Sequence, residues 1–237
     1  MSRLDNYLVE SGQCESRNKA QSLIKEGYVS VNKEQIIKSS HKLKEDDIVE
    51  VKEHKEYVSR AAFKLSAFLD ELKLDLKGKT ALDIGSSTGG FTQVLLESGV
   101  NEVTAVDVGR EQLHVSLRDD KRVCSHEECD IREFKSDKKF DITVSDVAFI
   151  SLLHILDAVD RLSNDKIILL FKPQFEVGRE AKRDKNGVVV DEKAILHAMI
   201  KFEDACKLKG WKLLKKSPSK LTGKEGNLEY CYFFEKR

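Results

Sequence analysis

An α/β fold is predicted for this chain, with a mostly parallel sheet covered by helices on both faces and a smaller α/β module ahead of it. Three observations predict it. From Lys79 onward, short apolar runs of strand length alternate with segments of helical period. The 237 residues exceed one ordinary domain but leave room for only a small second one. Hydrophobic residues make up 40% of the chain and charged residues 35%, which supplies a core and leaves no disordered charged tail.

In the first 55 residues, Leu4 and Leu8 with a turn at Gly12 predict a helix. Ser16 caps a second helix, in which Ala20, Leu23 and Ile24 share a face and which Gly27 ends. Alternating residues over 28–32 and again over 48–51 predict two strands joined by a polar, hairpin-like excursion. A polar connection beginning at His54 makes 56–59 a linker, and 60–237 the larger domain. A helix over 60–76 places Ala61, Leu65, Phe68 and Leu72 on one face. Strands follow over 80–84, 102–108, 122–125, 140–144 and 166–171, with helices over 90–97, near 111–117, over 150–162 and over 192–209. Segments 211–215 and 230–234 are joined by a loop alone, which predicts an antiparallel pair at the end of the sheet.

Lys and Arg balance Asp and Glu at 41 each, so net charge alone identifies no polyanionic partner. Distribution is more informative. Lys and Arg concentrate in 16–44 and 201–224, whereas 119–160 is acidic, so the chain is suited to gripping a polyanion locally. No apolar run approaches the ~18 residues of a membrane span, and Met1 is followed by Ser-Arg-Leu-Asp rather than by a basic and apolar leader. No membrane partner is expected, and a cytoplasmic location is. The odd set Cys14, Cys124, Cys129, Cys206 and Cys231 reads as free thiols. Cys124, His126 and Cys129 lie close together, but a structural zinc site needs four ligands, so no metal is expected.

The strand over 80–84 runs into Gly85-Ser86-Ser87-Thr88-Gly89-Gly90-Phe91 and then a helix, the place where open α/β sheets bind ligands. A dinucleotide fingerprint fails because position 87 is Ser, and a phosphate loop fails because position 73 is Lys and Gly78-Lys79-Thr80 precedes the strand. What remains is Asp83 in D-x-G-x-x-x-G-G, then Asp107 ending the second strand and Asp130-Ile131 after the third. Carboxylates on three successive loops suit a cationic amino-acid moiety, a ribose diol and an adenine amino group. This pattern resembles the S-adenosylmethionine site of Rossmann-like methyltransferases, which implies cofactor contacts from Asp83, Gly85, Ser86, Gly89, Gly90, Phe91, Asp107, Asp130 and Ile131.

Two further resemblances extend the reading. Arg3-Leu4-Asp5, Ser16-Arg17, Ala20, Ile24-Lys25-Glu26-Gly27 and Val29-Ser30-Val31-Asn32 resemble the RNA-binding domain named after the fourth small-subunit ribosomal protein. That likeness implies RNA contacts, mostly to phosphates, from Arg3, Arg17, Lys19 and Lys25. Lys64, Asp146, Lys172 and Glu229, in this order, resemble the catalytic tetrad of the FtsJ-like ribose 2′-O-methyltransferases. The chain as a whole is similar to the TlyA-type ribosomal RNA 2′-O-methyltransferases, also called the haemolysin A family. The likeness runs through Ser-Arg-Ala-Ala-Phe-Lys-Leu, Ser-Asp-Val-Ala-Phe-Ile-Ser, Phe-Lys-Pro-Gln-Phe-Glu-Val-Gly and Gly-Asn-Leu-Glu-Tyr. Val190 departs from it, because an arginine is expected there.

The family resemblance implies methylation of cytidine ribose in ribosomal RNA, free or in a ribosomal subunit, with no DNA partner. A start at the RNA-binding module leans towards the shorter family members, which act on the large subunit. Lys172 would accept the hydroxyl proton or stabilise the developing alkoxide, Lys64 would add positive charge, and Asp146 and Glu229 would hold the lysines. Asp146-Val147-Ala148-Phe149 lacks the proline-aromatic motif of base-directed amino methyltransferases. From a different class, a non-catalytic RNA-binding or ribosome-assembly factor retaining the fold is the alternative.

Overall fold

Strands buried on both faces dominate the larger part of the computed structural model, which describes residues 2–25, 27–52 and 56–236. The chain divides into two compact units, Met1–Glu56 and Tyr57–Arg237. Of the expected polar connection over 54–59, His54 and Lys55 lie outside the described residues, as do Met1, Glu26, Glu53 and Arg237.

In the first unit, α1 (Leu4–Glu10) and α2 (Arg17–Lys25) cover a three-stranded antiparallel sheet of order β2-β1-β3. Its strands are β1 (Val29–Val31), β2 (Glu34–Gln35) and β3 (Val49–Val51). Ser16 Oγ accepts the Lys19 backbone N–H at 3.3 Å, the capping its position predicts. β2 was not predicted. Asn32 and Lys33, at φ 52° and 70°, turn β1 back on it, a backbone that polar residues tolerate and periodicity does not reveal. Leu4, Leu8, Ala20, Ile24 and Val29 form the core.

In the second unit, α3 (Ala61–Leu72) precedes β4 (Thr80–Ile84), α4 (Gly90–Glu97), β5 (Glu102–Val106), α5 (Val115–Arg118), β6 (Val123–His126) and β7 (Phe140–Ser145). A single 3-10 turn (Leu152–His154) leads into α6 (Leu156–Leu162), β8 (Ser163–Phe171), α7 (Pro173–Glu176), α8 (Glu192–Leu208), β9 (Trp211–Pro218) and β10 (Tyr230–Lys236). The seven strands order as β6-β5-β4-β7-β8-β10-β9. Five are parallel, and β10 pairs antiparallel with both β8 and β9. Period two along the strands divides the core between the two faces. Ile167, Leu169 and Phe171 of β8 join Phe202 of α8 and Tyr232 on one side, whereas Ile168 and Leu170 join Phe68 of α3 and Leu95 of α4 on the other.

Several elements are shorter than expected, each for a local reason. α3 stops at Leu72 because Lys73 adopts a left-handed conformation. Only α5 remains of the helix expected over 111–117. The Glu127 carboxylate takes the backbone N–H groups of Glu111, Gln112 and Leu113, and Glu111 sits at φ 51°. The helix expected over 150–162 begins with the 3-10 turn capped by Ser151 and becomes α-helical at Leu156. β5 ends at Val106 rather than 108, leaving Asp107 in the loop.

The chain crosses from one side of β4 to the other between β6 and β7, so the switch point lies between β4 and β7. Ile84 is in register with Val106 on one side and Ser145 on the other, which brings three carboxyl ends level. Ligands of open α/β sheets bind in this crevice.

Candidate active site

A cavity of about 290 Å³ opens at that switch point. This is near the lower end of the ~300–1,000 Å³ of small-molecule sites, room for a ligand of nucleoside size. Gly85, Asp107, Asp130 and Ile131 line it, together with Asp146 and Phe149. Asp83, Ser86, Gly89, Gly90 and Phe91 lie outside the lining, Asp83 in β4, Ser86 and Gly89 in the turn, and Gly90 and Phe91 at the start of α4. Phe91 packs in the core with Ala62 and Leu95. Gly85 sits at φ 77°, and a Cβ there would meet Val147 Cα at 3.1 Å, so a side chain would push the β7 loop away. At Gly90 a Cβ would meet Ser59 Oγ at 2.1 Å and the Ala62 backbone N at 3.0 Å. Glycine therefore lets the start of α3 touch the start of α4.

The acids of the cavity, and Asp83 in the strand behind it, differ in what satisfies them. Asp107 accepts the Ser87 N–H at 2.8 Å and the Gly109 N–H at 2.7 Å, fastening the glycine turn to the loop after β5. Asp130 accepts Arg132 Nε at 3.0 Å, and this guanidinium holds its carboxyl below the usual range. Asp83 is fully buried; one oxygen accepts Thr92 Oγ1 at 2.7 Å, and the other has no hydrogen-bond partner. Burial pushes its carboxyl up to about 7, against the Thr92 hydrogen bond, and the Asp146 and Asp107 charges push the same way. Asp107, Asp130 and Asp146 line the cavity and no Lys or Arg is among its lining residues, which fits a cationic ligand such as S-adenosylmethionine.

Beside this cavity, the four residues expected as a catalytic tetrad form two ion pairs. Lys64 Nζ in α3 donates to Glu229 Oε2 at 2.6 Å. Lys172 Nζ lies 2.6 Å from Asp146 Oδ1 and donates to the Asp146 carbonyl at 3.3 Å. Register explains the convergence. Tyr230 of β10 pairs with Phe171 of β8, so Glu229 and Lys172 flank one rung at the carboxyl end of β8. Asp146 leaves β7 beside them. The thiol of Cys231, next along β10, is pushed up to about 12, first by burial and then by Asp146 and Glu229, with Lys64 opposing. One buried group thus feels members of both pairs. Side-chain exposure of the four is 12% or less, and buried charges of this kind persist only when paired.

Sequence reasoning missed Phe149, Phe175 and Glu176. Phe149 is 92% exposed, holds φ 64° and lines the cavity. Its ring lies 5.3 Å from that of Phe175 in α7. An aromatic residue three positions after a strand-end acid was the available signal, but only the backbone shows that the ring faces solvent.

In the first unit, Asp5 is a fully buried carboxylate. It accepts Arg3 Nε and Nη2 at 2.9 Å each, Arg17 Nε at 3.0 Å and Gln21 Nε2 at 2.8 Å. Arg3 and Arg17 remain about half exposed. Lys19 pairs with Glu56 at 2.8 Å, and Lys25 is an exposed cation in the last turn of α2. Among the described residues, no group of three or more His, Cys, Asp or Glu is arranged to hold a metal, and no helix is long and apolar enough to cross a membrane.

Comparison with known proteins adds a family to this geometry. Residues 57–236 match the FtsJ-like methyltransferase family, and residues 2–49 match the S4 domain. The 23S rRNA (cytidine-2′-O)-methyltransferase TlyA of Campylobacter jejuni is 54% identical over 180 residues, 76% of this chain and 71% of that protein. Hemolysin A of Brachyspira hyodysenteriae is 38% identical over 242 residues, 98% of this chain and 99% of that protein. A solved structure described as a hemolysin from Streptococcus thermophilus superposes with a TM-score of 0.73 at 33% identity, covering 99% of this chain and 88% of that one.

Proposed function

The chain belongs to the FtsJ-like methyltransferase family, in its TlyA group, and from that membership we propose that it methylates the 2′-hydroxyl of a cytidine ribose in ribosomal RNA of the large subunit, in the cytoplasm. The observation that carries this reading is the pair of buried lysine–carboxylate contacts, Lys64–Glu229 and Lys172–Asp146, the second of which reaches the cavity through Asp146. No requirement of folding gathers two lysines and two acids from four separate segments, so the cluster points to chemistry.

S-adenosylmethionine supplies the methyl group as a sulfonium, already reactive toward an oxygen nucleophile. The protein's task is to place the ribose oxygen in line and to manage its proton. Asp107 would hold the cofactor ribose, Asp130 the adenine, and Asp83, beneath the turn, the charge balance of the amino-acid end. One lysine, having first given up its ammonium proton to solvent, would take the hydroxyl proton as the carbon–oxygen bond forms and the carbon–sulfur bond breaks. The other lysine, still an ammonium, holds the negative charge developing on oxygen. Asp146 and Glu229 fix the two lysines. Phe149, exposed beside Asp146, would give the target base a face to stack on.

The first unit would dock the RNA through Arg3, Arg17, Lys19 and Lys25. Methyl transfer from labelled S-adenosylmethionine to unmodified ribosomal RNA or its subunits, with mass-spectrometric mapping of the product, tests the reading. A methylated cytidine ribose on the large subunit is expected. A methyl group on a base, or binding without transfer, would return the chain to a base-directed enzyme or to an assembly factor.

A further inference from the structure

Glu176 is a partly buried acid just beyond the carboxyl end of β8 for which the chemistry above has no task. It ends α7, the short helix that Lys172 opens as N-cap. Its Oε2 accepts Ser151 Oγ at 2.6 Å, and its Oε1 accepts the Leu152 backbone N–H at 2.8 Å. Ser151 in turn accepts the Leu153 N–H at 3.2 Å and caps the 3-10 turn.

One carboxylate therefore joins two loops. The first starts at Asp146 and carries Phe149; the second starts at Lys172 and carries Phe175. The loops touch again where the Phe149 and Phe175 rings meet, 5.3 Å apart. Leu152, Ile155 and Val177 close the core around this point. An apolar side chain at 176 would pack there, but it would strand the Leu152 N–H and the Ser151 hydroxyl. Burial accordingly holds the Glu176 carboxyl above its usual range, against both hydrogen bonds and the His154 and Lys201 charges.

We propose that Glu176 is a positioning residue, clamping the Asp146 loop to the Lys172 turn so that Asp146, Lys172 and the Phe149 ring keep one geometry around the target nucleotide. The proposal rests on the ribose-methylation reading, so the unaltered full chain is assayed first. Failure of that protein to methylate ribosomal RNA would overturn the parent reading, and with it the clamp's purpose.

With an active parent protein, Glu176→Ala is expected to lower kcat by at least ~10-fold while the Kd values for S-adenosylmethionine and RNA stay within about 3-fold. Glu176→Gln should restore kcat to within about 3-fold, because its amide accepts from Leu152 and donates to the Ser151 oxygen. Ser151→Ala removes one end of the clamp without touching Glu176. In that background, Glu176→Ala should cost clearly less than alone. Parental kcat in Glu176→Ala, additive losses with Ser151→Ala, or no rescue by glutamine would each overturn the proposal. If Glu176→Ala fails to fold, the Gln and Ser151→Ala variants decide. The clamp predicts near-parental kcat in the former and reduced kcat with unchanged ligand affinity in the latter, and the opposite ranking overturns it.

Discussion

Lys64 Nζ donates to Glu229 Oε2 at 2.6 Å across a sequence separation of 165 residues, with both side chains nearly sealed from solvent. Removing one partner of such a pair strands the other charge, at a cost of ~3–5 kcal/mol. Lys64→Ala should therefore lose stability as well as activity. The double variant Lys64→Met/Glu229→Gln should recover much of the stability but none of the activity. Ribose methylation is expected to fall at least ~100-fold in Lys64→Ala and in Lys172→Ala, as when a base or an electrostatic group is removed. Thermal melts and mapping of methylated ribose measure the two effects; near-parental transfer in either variant would remove that lysine from the mechanism.

Asp107 should matter to the cofactor in two ways. Its carboxylate lines the cavity, where it would meet the ribose hydroxyls on the proposed reading, and it also ties the Ser87 and Gly109 backbone N–H groups together. Asp107→Ala is expected to weaken S-adenosylmethionine binding by ~1–3 kcal/mol, the scale of charge-assisted hydrogen bonds. Calorimetry on a folded variant with unchanged affinity would exclude Asp107 from the cofactor site.

Asp83 is expected to make cofactor binding depend on pH. Its carboxyl, at about 7 in the folded protein, is raised above the 3.8 of an unperturbed group. The stability this gives is complete below the unfolded value and is lost as pH rises through about 7. A cationic ligand favours the ionised carboxylate, so affinity should move oppositely, rising between about pH 6 and 8 with release of a proton. Asp83→Asn should flatten that dependence. Titrations in buffers of different ionisation enthalpy measure the proton directly, and zero release near neutrality would place the charge balance elsewhere.

The strand and helix order of the second unit was legible because fully buried strands such as 167–171 are continuous apolar runs, and the glycine turn after Ile84 is written in consecutive residues. The tetrad was legible only through family resemblance, since nothing local links Lys64 to Glu229. What could not be read depends on backbone competition. Glu127 takes three N–H groups that a helix over 111–117 would leave for capping, and Glu176 takes one from the turn at 152. Neither acid lies near its partners in sequence. Phe149 was hidden differently: apolar residues are read as core, and this one is 92% exposed.

Asp5 separates charge from geometry in the RNA-binding unit. Neutralising Arg17, Lys19 and Lys25 together should weaken RNA binding and reduce its salt slope by ~0.7–0.9 for each phosphate left without a cation, with cofactor binding unchanged. Asp5→Ala removes a negative charge, which by long-range electrostatics alone would strengthen RNA binding. Because Asp5 anchors both Arg3 and Arg17, the expected result is weaker binding. Filter binding at several salt concentrations distinguishes the two, and tighter binding by Asp5→Ala would reduce the anchor to a fold-stabilising role.

Phe149 holds an aromatic side chain in the left-handed backbone region, at φ 64°, with its ring in solvent beside Asp146. A bulky residue there costs ~1–2 kcal/mol of backbone strain, so the position sacrifices stability for what the ring does. Phe149→Gly relieves the strain, and its melting temperature should match or exceed that of Phe149→Ala. Both variants should lose stacking worth ~1–3 kcal/mol per base, seen as a fall of roughly 5–150-fold in kcat/KM for RNA. S-adenosylmethionine affinity should change little. Phe149→Tyr and Phe149→Trp should retain activity, since each keeps a flat ring at the mouth of the cavity. If leucine served as well as tyrosine, bulk rather than stacking would account for the ring, and the target base would need another platform.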